Sequence, residues 1–120
     1  GFKVVVIIPT FNEEQTLGRC IDALHGANSA AADASVTIVV SDGGSSDRTA
    51  QVASSKGATV LGKARDGHGR GAQLAHAVEY ATSKSDLAAA DILLFLHADV
   101  LIEASIFLYI RNFFFSESAR

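Results

Sequence analysis

Uninterrupted apolar runs constrain this chain more than any other feature, and the most telling one is Ile92–Asp99, Ile-Leu-Leu-Phe-Leu-His-Ala-Asp. Five apolar residues in succession are too few for a membrane span and suit a strand buried on both faces. The run ends on His97, Ala98 and Asp99: an imidazole, a side chain without bulk, and a carboxylate. Ligands of open α/β sheets sit outside the carboxyl ends of the strands, so polar groups placed there reach a cleft floor. The competing reading is that Asp99 only caps the helix that follows. The remaining segments decide between the two.

Lys3–Ile8 is β-branched and continuous, a second doubly buried strand, and Pro9 ends it where no ladder donor is needed. Asn12 with Gln15 resembles a capping box, and Leu17, Cys20, Ile21 and Leu24 recur at helical spacing, with Gly26 as the stop. Asn28–Ser35 lacks periodicity and reads as a loop. Val36–Val40 is the next buried strand, and Asp42 stands just past it as Asp99 does past the last one. Gly43 and Gly44 permit a tight turn, Ser46 or Asp47 can cap a helix to Lys56, and Gly57 stops it. Thr59–Leu61 is a short strand. Gly62–Gly71 then carries Lys63, Arg65 and Arg70 among glycines, a composition that lets backbone and guanidinium approach phosphate. Gly71, Leu74, Ala75 and Val78 are expected on the inner face of the next helix, and Ile102–Phe115 reads as an apolar, aromatic helix. The alternation β-α-β-α-β-α-β-α predicts an α/β fold, a mostly parallel sheet with helices on both faces. Lys3–Ile8 and Ile92–Leu96 are expected as central neighbours, with the crevice between them at the switch point.

Composition narrows the functional classes. A length of 120 residues with 48% hydrophobic content suits one domain with a true core. A formal charge of −3 without a basic run argues against binding nucleic acid. No apolar run approaches a transmembrane helix and no signal peptide is visible. The lone cysteine, Cys20, excludes an internal disulfide, fits a reducing, cytoplasmic compartment, and falls on an apolar helix face as core. The absence of methionine and the start at Gly1 suggest a processed or trimmed chain. His25 and His76 read as surface or packing residues, and His68 as a loop residue within reach of a phosphate.

Four segments thus bring polar groups to carboxyl strand ends: Asn12/Glu13, Asp42, Arg65–Arg70 and His97/Asp99. Gly67-x-Gly69-x-Gly71 does not follow the first strand, which counts against a dinucleotide-binding oxidoreductase. A sugar nucleotidyltransferase would carry a glycine- and arginine-rich loop after its first strand, and Pro9–Glu13 has neither residue.

Pro9-Thr10-Phe11-Asn12-Glu13, Asp42-Gly43-Gly44-Ser45-Ser46-Asp47-Arg48-Thr49, Gly69-Arg70-Gly71-Ala72 and Leu96-His97-Ala98-Asp99 resemble, in order and spacing, the family-2 glycosyltransferases of the GT-A fold. The resemblance implies a Rossmann-like nucleotide-diphospho-sugar transferase fold, a nucleotide-sugar donor, usually a UDP sugar, an acceptor, and Mg²⁺ or Mn²⁺. It places Pro9, Thr10, Asn12, Glu13, Asp42, Gly43, Gly44, Arg70, His97 and Ala98 at the donor nucleotide. Asp42 would accept a hydrogen bond from the base, and Arg70 would meet the base edge or diphosphate. Asp99 matches the second carboxylate of the family's Asp-x-Asp motif and would bind the metal, with His97 as a second ligand or as a partner of ribose or phosphate. The sequence departs from the family at Gly43, where the motif has a second Asp, and at His97, where it has the first Asp of Asp-x-Asp. Asp-Gly-Gly-Ser combined with His-Ala-Asp resembles one subgroup of the family. The implied chemistry is inverting transfer. Residues 1–120 are expected to form the nucleotide-sugar-binding domain without the acceptor half and its catalytic base, Glu103 being too near Asp99 to serve. A module that binds nucleotide without catalysis, or a split transferase fragment, is the rival reading. Ile106–Phe115 is expected to support self-association of an isolated domain.

Overall fold

β-Branched residues lay down the sheet. The fold is that of a computed structural model describing residues 1–65, 67, 69–84 and 86–115. Its elements run β1 (Phe2–Thr10), α1 (Leu17–Ala30), β2 (Ala34–Asp42), α2 (Thr49–Ser55), β3 (Thr59–Leu61), α3 (Arg70–Ser83), β4 (Ile92–Phe95) and α4 (Ile106–Phe115). The strands are all parallel in the order β3-β2-β1-β4. The direction of winding reverses beside β1, which puts the switch-point crevice between β1 and β4, as the sequence predicts.

Side-chain alternation along β1 divides the core. Val4, Val6 and Ile8 pack with Leu17, Cys20, Ile21 and Leu24 of α1, Ala53 of α2 and Phe107 of α4. Val5 and Ile7 point the other way, onto Ala77 and Ala81 of α3. Helices therefore cover both faces, and the residues from Val4 to Ile8 are all fully buried.

Several boundaries differ from the sequence reading, each for a local reason. β1 continues through Pro9 to Thr10. The Leu96 N–H donates to the Ile7 carbonyl, so Ile7 faces β4, and Pro9, two residues on, faces the same side where β4 has already ended. A missing donor costs nothing there. The Asn12–Gln15 capping box is not formed. α1 begins at Leu17 without a side-chain cap, because the Asn12 side chain instead accepts the Ser46 N–H. Gly26 does not stop α1, which runs on to Ala30 and seats Ala27 in the core. One exposed helical glycine costs about 1 kcal/mol, less than the packing it would forfeit. Asn28–Ser35 is accordingly shorter as a loop than expected, since β2 starts at Ala34.

Gly57 does end α2. The Ala58 N–H reaches the Ala53 carbonyl and the Gly57 N–H reaches that of Ser54, the Schellman pattern. The inner face of α3 is only partly the one expected: Leu74 and Val78 do pack, half-buried, against the cluster of Val5, Ile7 and Val39. Gln73, Ala77 and Ala81 are buried while Gly71 and Ala75 are exposed, the buried row following a four-residue step. β4 is not buried on both faces: only β1 pairs with it among the described strands, and its residues are half-buried or, at Phe95, exposed. The last helix starts at Ile106 rather than Ile102. It leaves Tyr109, Phe113 and Phe114 exposed while Phe115 stacks on Phe2 at 5.2 Å between ring centroids. No helix among the described residues is long and apolar enough to cross a membrane.

Candidate functional site

Two clefts open where β1, β2 and β4 end. The first, of about 440 Å³, is lined by Pro9, Thr10, Phe11, Glu13, Gly43, Lys63, Gly69, Arg70 and Gln73. The second, of about 360 Å³, is lined by Pro9, Glu13, Arg70, His97, Ala98 and Asp99. They share Pro9, Glu13 and Arg70, so together they form one two-chambered site. Proline and phenylalanine give the first chamber an apolar wall fit for a flat ring. The second presents a guanidinium, an imidazole and carboxylates.

The loop after β2 builds the wall of the first chamber. Asp42 is buried, and its Oδ1 accepts the hydroxyls of Thr10 at 2.8 Å and Ser45 at 2.5 Å. Its Oδ2 accepts the backbone N–H groups of Ser45 at 2.9 Å and Gly44 at 3.3 Å. A carboxylate has about four acceptor positions, and here all are taken by its own surroundings. Gly44 turns this loop with φ of 95°, a conformation that disfavours a side chain. Gly43 donates its N–H to the Thr10 carbonyl at 2.9 Å. A Cβ on Gly43 would lie 3.4 Å from that carbonyl and 3.7 Å from the Phe11 ring, inside the chamber.

The same loop clamps the segment after β1. The Asn12 N–H donates to the Ser45 hydroxyl, and the Asn12 carboxamide oxygen accepts the Ser46 N–H. The Glu13 N–H donates to the Thr49 hydroxyl, which in turn donates to Asp47. Asp47 also accepts the N–H groups of Thr49 and Glu14. Desolvation works to raise the Asp47 pKa, but the hydrogen bonds from Thr49 and Glu14 prevail and hold it below the usual value. Asn12 has φ of 54°, a left-handed turn that asparagine tolerates better than most residues. Glu13 is thereby fixed on the wall common to both chambers.

Beneath the second chamber, Cys20 of α1 lies with Sγ 3.9 Å from the His97 carbonyl. Burial, and then the negative charge of Asp99, push its thiol up to about 11. It stays protonated at neutral pH and packs rather than reacts. Ala98 is buried between His97 and Asp99, which are both exposed, and the Val100 N–H closes a turn onto the His97 carbonyl. No hydrogen bond or ion pair joins the Asp99 carboxylate to another described residue. Among the described residues no group of three His, Cys, Asp or Glu could by itself hold a metal ion. His97 and Asp99 offer an imidazole and a carboxylate on one turn. Mg²⁺-type ions are commonly held by one or two protein ligands with substrate phosphate oxygens and water completing the shell. The donor set fits an ion held in that manner.

Of the residues singled out from sequence, Pro9, Thr10, Glu13, Gly43, Arg70, His97, Ala98 and Asp99 line the two chambers. Asn12, Asp42 and Gly44 stand behind them as supports. Arg65 lies apart, in a cleft with Ala64, Ala72, Ala75, His76 and Glu79. His68 lies outside the described residues. His25 is exposed, with Nε2 2.7 Å from the Lys56 carbonyl oxygen, and His76 is half-buried on α3. Phe11 and Gln73 line the first chamber without having been assigned to a site from sequence, and Lys63, read there as part of the glycine-rich loop expected near phosphate, lines it too. The signal for Gln73 is the row it forms with the small residues Ala77 and Ala81 at four-residue steps.

The family model for glycosyl transferase family 2 matches residues 5–109. Among solved structures, mannosyl-3-phosphoglycerate synthase from Rubrobacter xylanophilus is similar at 30% identity and a TM-score of 0.72, over 91% of this chain and 35% of that one. Glucosyl-3-phosphoglycerate synthase from Mycobacterium tuberculosis, in complex with Mn²⁺, UDP and glucosyl-3-phosphoglycerate, is similar at 25% identity and a TM-score of 0.69, over 98% of this chain and 41% of that one. TarS 1-349 from S. aureus shares the fold at 20% identity and a TM-score of 0.71, over 93% and 32% respectively. The chain thus spans between about a third and two fifths of these relatives' lengths. No curated protein sequence matches it.

Proposed function

The chain belongs to glycosyl transferase family 2 and has the GT-A fold, and from that premise we propose that it binds a UDP sugar in the two-chambered site and serves transfer of the sugar to an acceptor. The observation that carries this reading is the shared wall. A nucleoside diphosphate needs a chamber for a flat ring and a chamber for charge, joined by a cation, and Arg70 stands where the two meet. The Mn²⁺ and UDP complex of the mycobacterial relative supports the choice of ligand.

Pro9, Thr10 and Phe11 would flank the base and ribose, and Gly43 leaves room for them. Arg70 would face the diphosphate, a pairing that guanidinium geometry favours. Asp42 sets the wall, and accepts an imide N–H of uracil where the Ser45 hydroxyl gives way. Asn12 and Gly44 act through the same loop. Asp99, with His97 beside it, would hold Mg²⁺ or Mn²⁺. Bound there, the ion would neutralise charge that develops on the departing diphosphate. Transfer in this reading is an inverting displacement: an acceptor hydroxyl gives its proton to a general base, which no residue of 1–120 is assigned to supply, as its oxygen bonds to the anomeric carbon and the bond to the diphosphate breaks, and UDP leaves with the electron pair. Residues 1–120 constitute the donor-binding domain in this scheme.

Calorimetric titration with UDP, GDP and ADP, each with and without Mn²⁺, tests the proposal. UDP should bind best and more tightly with Mn²⁺, and Asp99→Ala should abolish the metal's contribution. UDP binding indifferent to both Mn²⁺ and Asp99→Ala would remove the metal from the scheme. A folded sample that binds none of the three nucleotides would overturn the reading as a whole. Tight UDP binding without turnover of any donor sugar would assign the chain to nucleotide binding alone.

A further inference from the structure

Gln73 is a buried polar residue whose contacts serve none of the roles described so far. It is 2% exposed on α3, yet its side chain reaches the edge of the first chamber. Its Nε2 donates to the Ser41 hydroxyl at 2.9 Å and to the Gly62 carbonyl at 3.3 Å, and its Oε1 accepts the Ala64 N–H at 2.6 Å. The Ser41 hydroxyl donates back to the Gln73 carbonyl at 2.8 Å. Both hydrogens of the carboxamide are therefore occupied, and neither is left for a ligand.

The pattern of these contacts is specific. Gly62 and Ala64 flank Lys63, so the carboxamide holds the backbone on either side of that one residue. Lys63 is exposed, lines the first chamber, and has its stem near Gly44, where a Cβ would lie 3.8 Å from Lys63 Cδ. The charged residues of that chamber are Lys63 and Arg70 against Glu13, a balance suited to an anion. β3 ends at Leu61, so no strand pairing fixes the chain at Lys63. Gln73 supplies that fixation from the helix.

We propose that Gln73 is a positioning residue: it pins residues 62–64 so that the Lys63 ammonium is held on the first chamber's wall as a second cation, with Arg70, for the phosphate of a nucleoside diphosphate that joins the ring in the first chamber to the charge in the second. The inference rests on the donor-nucleotide reading above. A lysine on an unpinned segment next to a glycine would lose rotamer and backbone freedom on binding, and the pin removes part of that cost beforehand.

The experiment is a double-mutant cycle in UDP affinity, read by calorimetry, with uridine as a ligand lacking phosphate. Lys63→Ala and the near-isosteric Gln73→Met should each weaken UDP about tenfold, the worth of one charge-assisted contact. The double variant should be no weaker than either single one, because both remove the same contact. Uridine affinity should not change in any of them. Thermal melting checks that each variant is folded. Should Gln73→Met fail to fold, Ser41→Ala, which removes one anchor of the carboxamide, takes its place in the cycle with the same expected non-additivity. Additive losses, or equal losses for UDP and uridine, would overturn the positioning role while leaving the donor site intact. Absence of UDP binding in the unsubstituted chain would overturn the inference together with the reading beneath it.

Discussion

Adjacent glycines in the loop after β2 differ in what a side chain would meet, which makes them a paired test at the scale of single residues. Gly44 has φ of 95°, and a Cβ there meets only the Lys63 stem at 3.8 Å. Gly44→Ala should therefore destabilise the fold through the backbone, by about 1–2 kcal/mol, seen as a lower urea midpoint. Gly43 has no positive φ, and its Cβ would make ordinary contacts with Thr10, Gln73 and Phe11. Gly43→Ala should keep the urea midpoint but weaken UDP, since the added methyl enters the first chamber. Equal stability losses in the two variants would contradict this division. The position where the family motif has a second Asp is thus one at which this chain leaves the wall of the first chamber bare.

At the scale of elements, the clamp between the segment after β1 and the loop after β2 concentrates on Asp47. Its carboxylate is held below the usual range by the N–H and hydroxyl groups it accepts. A depressed folded-state pKa adds stability that is present above the unfolded value of 3.8 and is lost as pH falls through the folded one. Asp47→Asn should lower the urea midpoint at neutral pH. The gap from the unsubstituted chain should narrow as pH drops below about 4; a gap independent of pH would show that the charge has no part in the clamp.

These elements also show how far the sequence could be read. Apolar runs announced β1 and β2 because strands at a sheet's centre need continuous hydrocarbon; β4 has the same run but lies at the sheet's edge among the described strands, so its expected central place was not met. The helix starts and stops were less legible. Asn12 has the chemistry of a cap, but only the fold reveals that Ser46 lies closer to its carboxamide than α1 does. Gln73 was not singled out from sequence, and its burial depends on Ser41, Gly62 and Ala64, which are 9 to 32 positions away. The four-residue row with Ala77 and Ala81 marks the buried face of α3, but nothing in it reveals these long-range partners. Asp42 was legible as a carboxylate at the end of β2 but not as a saturated one behind the chamber wall, since three of its four donors come from its own loop and the fourth from β1.

For the whole molecule, the apolar surface is unevenly distributed. Phe107 is fully buried in the core, whereas Tyr109, Phe113 and Phe114 of the same helix are 69%, 71% and 55% exposed. An aromatic group on this scale binds hydrophobic dyes. The folded chain should enhance the fluorescence of such a dye, and Phe113→Ser with Phe114→Ser should remove most of the enhancement without lowering the melting temperature by more than a few degrees. A dye signal unchanged by the pair would place the apolar surface elsewhere, with half-exposed Phe95 and Leu101 as the next residues to replace.

Pro9 has a consequence that belongs to assembly of the chain rather than to its finished form. β4 is short, and its apolar residues could slide along β1 at little loss of burial. Sliding by two residues toward the end of β1 would preserve which side chains face which layer, so patterning alone does not forbid it. It would bring Phe95 opposite Pro9, where the ladder asks for a proton that proline does not carry. The slipped pairing would leave an acceptor unmatched, at a cost of about 1–3 kcal/mol when buried. A residue on the wall of both chambers thereby also proofreads the register of the strand that delivers His97 and Asp99 to them.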